Sequence, residues 1–193
     1  MMSFQIITIG TSLGGFYALK TLLGVLPQNF PLPVAVVQHR SAEESDIFAP
    51  LLASHLQLPV LEVEDKQEIE GGRIYVCPAN YHLLVERSHF ALSTDAPVLH
   101  ARPAIDVLFE SAADSFGEGV VGILLTGMSR DGSAGLRKIK EKGGYTVVQD
   151  PTTAEGRTMP QSAISSMAVD RILPIDEIGP FILELCAGQR GAA

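Results

Sequence analysis

Residues 5–26, QIITIGTSLGGFYALKTLLGVL, constrain the fold more than any other stretch. Gln5–Gly10 is a short, β-branched apolar run, the composition of a buried strand. Gly10-Thr11-Ser12-Leu13-Gly14-Gly15 is too rich in glycine to continue it and predicts a sharp turn. Phe16, Leu19, Leu22, Leu23 and Leu26 then recur at helical spacing, and Pro27 stops the helix. The turn also spells Gly-x-Ser-x-Gly between strand and helix. Glycines there let the serine sit on a tight bend, its hydroxyl above the sheet edge and beside the N–H groups that open the helix. A phosphate- or nucleotide-binding turn would use the same glycines, so the stretch alone leaves both readings open. It is not Gly-x-Gly-x-x-Gly, and no Gly-Lys-Ser/Thr follows, so neither nucleotide fingerprint is met.

The remaining chain repeats the unit. Strands are predicted at Pro33–Gln38, Pro59–Val63, Arg73–Cys77, Val120–Thr126, Tyr145–Gln149 and Arg171–Pro174. Val120–Thr126 is the most hydrophobic and is expected at the centre. Helices are predicted from Ile47 to about Leu56 with Asp46 as cap and Phe48, Leu51, Leu52 and Leu56 inward. Others begin at Arg102-Pro103, run from Ser133 to Lys142 up to Gly143-Gly144, and occupy Gln161–Ser165 and Ile178–Cys186. Arg137, Lys138, Lys140 and Lys142 suit a solvated face near a helix C-terminus. Asp150–Pro160 is expected to be a long polar loop. Tyr81–Glu86 and His89–Ser93 form a hairpin attached to the main sheet. The fold class is therefore α/β, a doubly wound, mostly parallel sheet with helices on both faces and a small antiparallel hairpin. At 193 residues the expectation is one domain, 1–193, with a frayed tail from about 188.

Composition narrows the function classes. The formal charge of -8 argues against a nucleic-acid partner. No apolar run approaches the ~20 residues of a membrane span, and no basic leader precedes the first strand, so membrane insertion is not expected and the cytoplasm is. Cys77 and Cys186 stand far apart and are expected as buried thiols, not a disulfide or a metal pair. No metal and no organic cofactor is expected.

In parallel sheets, ligands bind outside the carboxyl ends of the strands. Ser12 lies at such an end. Of the five histidines, only His39 directly follows an apolar parallel-strand candidate. Asp131 sits in the glycine-rich turn after Val120–Thr126. Three strand ends thus deliver serine, histidine and aspartate to one crevice. His39 would take the proton from Ser12, and Asp131 would orient the imidazole. Backbone N–H groups near Leu13, Gly14, Gly15 and Met128 would hold an oxyanion. The chain order Ser…His…Asp is not that of α/β-hydrolases.

IGTSLGG at Ile9–Gly15, VVQH at Val36–His39, RPAIDVLF at Arg102–Phe109, LLTGMSRDGSAGL at Leu124–Leu136 and Met159-Pro160 together resemble the catalytic domain of chemotaxis protein-glutamate methylesterases of the CheB type. The resemblance covers Ile6 to about Ile178. It implies a Ser12–His39–Asp131 triad that hydrolyses glutamate γ-methyl esters on chemoreceptor cytoplasmic helices, releasing methanol, with deamidation of glutamines as a second activity. Leu13 stands where the family has threonine, Arg40-Ser41 where it has Met-Pro, Ala101 where it has histidine, and Ser129 where it has glycine. The family commonly carries a phosphorylatable receiver domain ahead of the catalytic one. Here the first strand starts at the fifth residue, so the expectation is a free-standing domain, or a piece of a longer protein, with a receiver domain or histidine-kinase system acting in trans. The altered surroundings of the triad also suit a second class, a signalling module that docks on such partners without efficient catalysis.

Overall fold

The computed structural model describes residues 4–40 and 45–190. Among these described residues, seven strands form one fully parallel sheet: β1 (Ile6–Thr11), β2 (Val34–Gln38), β3 (Val60–Glu62), β4 (Ile74–Val76), β7 (Val120–Leu124), β8 (Tyr145–Gln149) and β9 (Arg171–Leu173), in the spatial order β3-β4-β2-β1-β7-β8-β9. β1 holds the centre and β7 lies beside it. From β7 the chain builds outward through β8 to β9; on the other side of β1 it runs to β2, then to β3 at the edge, and returns to β4 between them. The switch point, where crevices open in such sheets, therefore lies between the carboxyl ends of β1 and β7.

Alternation along the strands gives each face its own core. Ile7, Ile9, Val34, Val36, Val121 and Ile123 point to the face covered by α1 (Gly15–Leu23), α2 (Ser45–Ala53) and α6 (Ile175–Arg190). Ile6, Ala35, Val37, Val120 and Leu124 point to the face covered by α3 (Ile105–Phe116), α4 (Ser133–Glu141) and α5 (Thr158–Ser166). On this second face Gly10 and Gly122 replace side chains with space. A Cβ on Gly10 would lie 2.2 Å from Ile105 Cγ2, and one on Gly122 would lie 2.6 Å from Ile139 Cδ1. These absences let α3 and α4 sit close over the sheet.

Several boundaries differ from the sequence expectation, each for a local reason. Helix α1 ends at Leu23 with Gly24 at its cap position, before Pro27 can act. Pro103 precedes α3 instead of opening it, since the helix starts at Ile105. The supposed loop Asp150–Pro160 holds a 3-10 turn at Pro151–Thr153, and its end belongs to α5. Pro160 falls in the first turn of that helix, where a missing N–H costs nothing. The hairpin β5 (His82–Val85) and β6 (Phe90–Ser93) forms its own two-stranded sheet, not an extension of the main one. It is held on α3, where Ser111 Oγ accepts from Val85 N–H and Ser115 Oγ donates to the Val85 carbonyl. On α4 the basic residues are partly paired, Lys138 with Asp114 and Lys140 with Asp170. Cys77 and Cys186 are buried thiols. The backbone of α6 is helical through Arg190. The end of the expected tail (191–193), most of the polar stretch after Arg40 (41–44) and the side chain of Asp46 lie outside the described residues. Among the described residues, no helix is long and apolar enough to cross a membrane.

Candidate active site

Strands β2, β1 and β7 are neighbours, so their carboxyl ends bring His39, Ser12 and the turn containing Asp131 to one edge. The turn after β1 is held by a polar frame. The Ser12 N–H donates to the Thr126 carbonyl at 2.9 Å, and Thr126 Oγ1 donates to the Leu13 carbonyl at 2.8 Å. Gly156 N–H donates to the same Thr126 hydroxyl at 2.8 Å. Thr126 thereby locks the serine turn, the β7 turn and the late loop together. Gln38 does the same from β2: its Nε2 donates to the carbonyls of Ser12 (2.8 Å) and His39 (2.9 Å). Gly15 leaves room for this amide, because a Cβ there would lie 1.9 Å from Gln38 Oε1. Gly14, at φ 76, takes the left-handed conformation that starts α1.

His39 Nε2 lies 2.7 Å from Asp131 Oδ2. Asp131 is fully buried. It also accepts from the N–H groups of Ile105 (2.7 Å, Oδ2) and Asp106 (2.9 Å, Oδ1), at the start of α3. The buried carboxylate is thus met by two backbone donors and the positive end of a helix. With Nε2–H directed at Asp131, the lone pair of the neutral ring sits on Nδ1. Beyond His39 the chain is pinned by Arg40, which donates to Glu62 Oε2 (3.1 Å) and the Cys77 carbonyl (2.8 Å) and lies 5.1 Å over the Phe48 ring. Burial pushes the Cys77 thiol far up, so it stays neutral.

Ser12 and His39 line a cavity of about 640 Å³ with Leu13, Phe16, Tyr17 and Leu51. Leu51, expected inward, is 47% exposed on this wall, and Tyr17 is 73% exposed. Glu155 enters the cavity from the late loop. Among the described residues the N–H groups of Leu13, Gly14 and Met128 make no hydrogen bond, whereas that of Gly15 donates to the Ser12 carbonyl at 2.9 Å. Sequence reasoning passed over the bracing roles of Thr126, Gln38 and Gly156. The only signal for them is position, at strand ends or beside a glycine turn.

The CheB methylesterase family model matches residues 7–182. The chain belongs to the CheB methylesterase family. A CheB-family relative from Leptospira interrogans is 43% identical over 185 residues, covering 95% of this chain and 96% of its own. Protein-glutamate methylesterase/protein-glutamine glutaminase 2 of Anaeromyxobacter dehalogenans is 41% identical over 181 residues, covering 94% of this chain and 53% of the relative. Protein-glutamate methylesterase FrzG of Myxococcus xanthus is 38% identical over 183 residues, 94% of this chain and 54% of the relative. The chain thus spans about half the length of these last two. The crystal structure of the Thermotoga maritima CheB methylesterase catalytic domain superposes with a TM-score of 0.92 at 34% identity, covering 95% of this chain and 99% of that one.

Proposed function

We propose that this CheB-family chain is a serine hydrolase that demethylates glutamate γ-methyl esters on chemoreceptor cytoplasmic helices, with Ser12 as nucleophile, His39 as base and Asp131 as its orienting partner. The observation that carries the reading is the 2.7 Å bond between His39 Nε2 and buried Asp131, at the edge of the cavity that Ser12 lines. Asp131 holds the ring so that Nδ1 takes the Ser12 proton as Oγ attacks the ester carbonyl. The oxyanion is received by the unengaged N–H groups of Leu13, Gly14 and Met128, with Gly15 shaping the turn. The imidazolium returns the proton to the leaving methoxide, and methanol departs. Water, deprotonated by His39, then hydrolyses the acyl-enzyme and frees Ser12. Glutamine amides fit the same sequence with ammonia as leaving group, in keeping with the glutaminase name of the Anaeromyxobacter relative. No step calls for a metal or organic cofactor. The substrate helices place the reaction in the cytoplasm, with a receiver domain or histidine-kinase system as the regulatory partner.

The test is methanol release from methylated receptor cytoplasmic fragments by the native protein and by Ser12→Ala. The expected result is release by the native protein alone. Equal release by both removes Ser12 as nucleophile, and no release by a folded native protein from any methylated fragment removes the methylesterase reading.

A further inference from the structure

A second cavity, of about 610 Å³, opens between Arg130, in the turn after β7, and α5. It is lined by Arg130, Arg157, Thr158, Gln161 and serines of α5, with no acidic side chain among its lining residues. Both arginines are exposed, and neither guanidinium has an ion pair among the described residues. In a chain with 22 acidic and 14 basic residues, this is a local reversal of charge. The cleft is built into the frame of the candidate active site. Arg130 directly precedes Asp131. Arg157 follows Gly156, which packs so tightly on the neighbouring turn that a Cβ there would lie 2.7 Å from the Gly127 carbonyl carbon. Thr158 Oγ1 lies 3.8 Å from Met128 Sδ. Gly127 in turn packs against the nucleophile's own residue, since a Cβ on Gly127 would lie 2.9 Å from Ser12 Cβ, so the segment that carries Arg157 is joined to Ser12 through two glycine contacts.

We propose that the cleft receives an ionised carboxylate carried by the same substrate helix, about one turn from the ester; this rests on the methylesterase reading above. The chemistry selects that occupant. Two guanidiniums present planar donor forks that match a carboxylate, and the hydroxyls and amide around them add neutral hydrogen bonds. On a helix, side chains three or four residues from the ester project from the same face and lie alongside it. The enzyme's product is itself a glutamate carboxylate, so demethylation at one position creates the group that the cleft would hold while a neighbouring ester is cut. The local positive charge also offsets the repulsion that a chain of net charge -8 exerts on an acidic helix.

The experiment measures binding by Ser12→Ala, which holds the substrate without turnover. Two alanine-based helical peptides each carry one glutamate γ-methyl ester, flanked at four residues on either side by Glu in one and Gln in the other. The Glu peptide is expected to bind roughly fivefold to tenfold tighter at low salt, as two partly exposed ion pairs allow, and the preference shrinks as salt is raised. In Ser12→Ala/Arg157→Gln the preference halves or better, and in the triple variant with Arg130→Gln it disappears. Equal binding of the two peptides by Ser12→Ala, or an undiminished preference in the triple variant, overturns the proposal. So does displacement of the Glu peptide by inorganic phosphate at equal concentration, which would mark a site for a free anion. Methanol release from the same peptides by the native protein is read separately. Release without a charge preference retires the cleft and keeps the hydrolase, while preference without release does the reverse.

Discussion

Asp131 and Asp106 each cap the helix that the other belongs to or introduces. Asp131, in the turn leading into α4, accepts from the first two N–H groups of α3, those of Ile105 and Asp106. Asp106 Oδ1, on α3, accepts from Gly135 N–H in the first turn of α4 at 2.7 Å. Neither helix has a side-chain cap of its own, for Ala104 and Gly132 occupy those positions. The carboxylate that meets His39 is therefore part of the joint that sets two helices against each other, and its position is fixed by both.

Asp131→Asn should consequently lose function and stability together. An amide in place of the carboxylate turns one acceptor into a donor facing N–H groups or His39. The expected cost is about 2–4 kcal/mol of unfolding free energy, from buried donors left unmet and a lost cap. Ester hydrolysis should fall about 10³–10⁴-fold, the scale on which an orienting aspartate acts in serine triads. Urea unfolding and turnover on the same samples check both. A loss of activity with unchanged stability would show that Asp131 is not the joint described.

Asp106 should make stability depend on pH in the direction opposite to an ordinary paired carboxylate. Burial raises its pKa from 3.8 to about 6; the charges of Asp131 and Glu110 add to this, against the hydrogen bonds from Gly135 and Gly132. The folded protein thus binds this proton more tightly than the unfolded chain does. The contribution to stability is full below about 3.8 and is lost as pH rises through about 6. Asp106→Asn keeps an acceptor for Gly135 and removes the titration. Relative to the native protein it should gain about 1–2 kcal/mol between pH 4.5 and pH 7.5, the shift being discounted for partial solvent access. Denaturant unfolding at the two pH values measures this, and a pH-independent difference would count against it.

The strand–turn–helix order was legible because each strand is a short β-branched run closed by glycine or a polar turn. That Ser12 and His39 border one cavity and that Asp131 reaches His39 was legible because Ser12 and His39 end such runs and Asp131 lies in the glycine turn after another. What stayed hidden is what distant segments supply. Ala104 and Gly132 offer no acceptor, so a local search for caps finds nothing at α3 and drifts to Pro103. The bonds from Thr126 to Leu13 and from Gln38 to Ser12 join residues far apart in sequence and leave no periodic trace. Periodicity also assigned Leu51 to the core. It locates an apolar stripe, but only packing decides whether a layer of protein covers it or a cavity borders it.

Gly10, within β1 and not in the turn that the sequence suggests, is needed for the approach of Ile105. Gly10→Ala would place a methyl 2.2 Å from Ile105 Cγ2 and push α3 away from Asp131. A loss of about 2–3 kcal/mol is expected from overpacking, with reduced hydrolysis as the Ile105 N–H moves off the carboxylate. Adding Ile105→Ala removes the clash while opening a cavity of its own. The double variant should therefore be more stable than the sum of the two single losses predicts, by 1 kcal/mol or more in a double-mutant cycle. Simple additivity would mean that the two residues do not press on each other.

The wall of the cavity beside Ser12 exposes Leu13, Tyr17, Ile47 and Leu51 on adjoining elements. Large apolar side chains left open beside a nucleophile favour an amphipathic helix laid along them, which gains affinity by covering that surface. Ile47 is 65% exposed and touches none of the hydrogen bonds that hold Ser12 or His39, so its replacement leaves the reacting groups in place. Ile47→Asp should raise KM for a methylated receptor fragment about tenfold with little change in kcat, since uniform binding is lost without altering the transition state. Hydrolysis of a small activated ester, too short to reach the wall, should hardly change. Equal losses on both substrates would mean that the substitution disturbs the Ser12 turn itself. An unchanged KM on the receptor fragment would mean that the helix takes another path to the nucleophile.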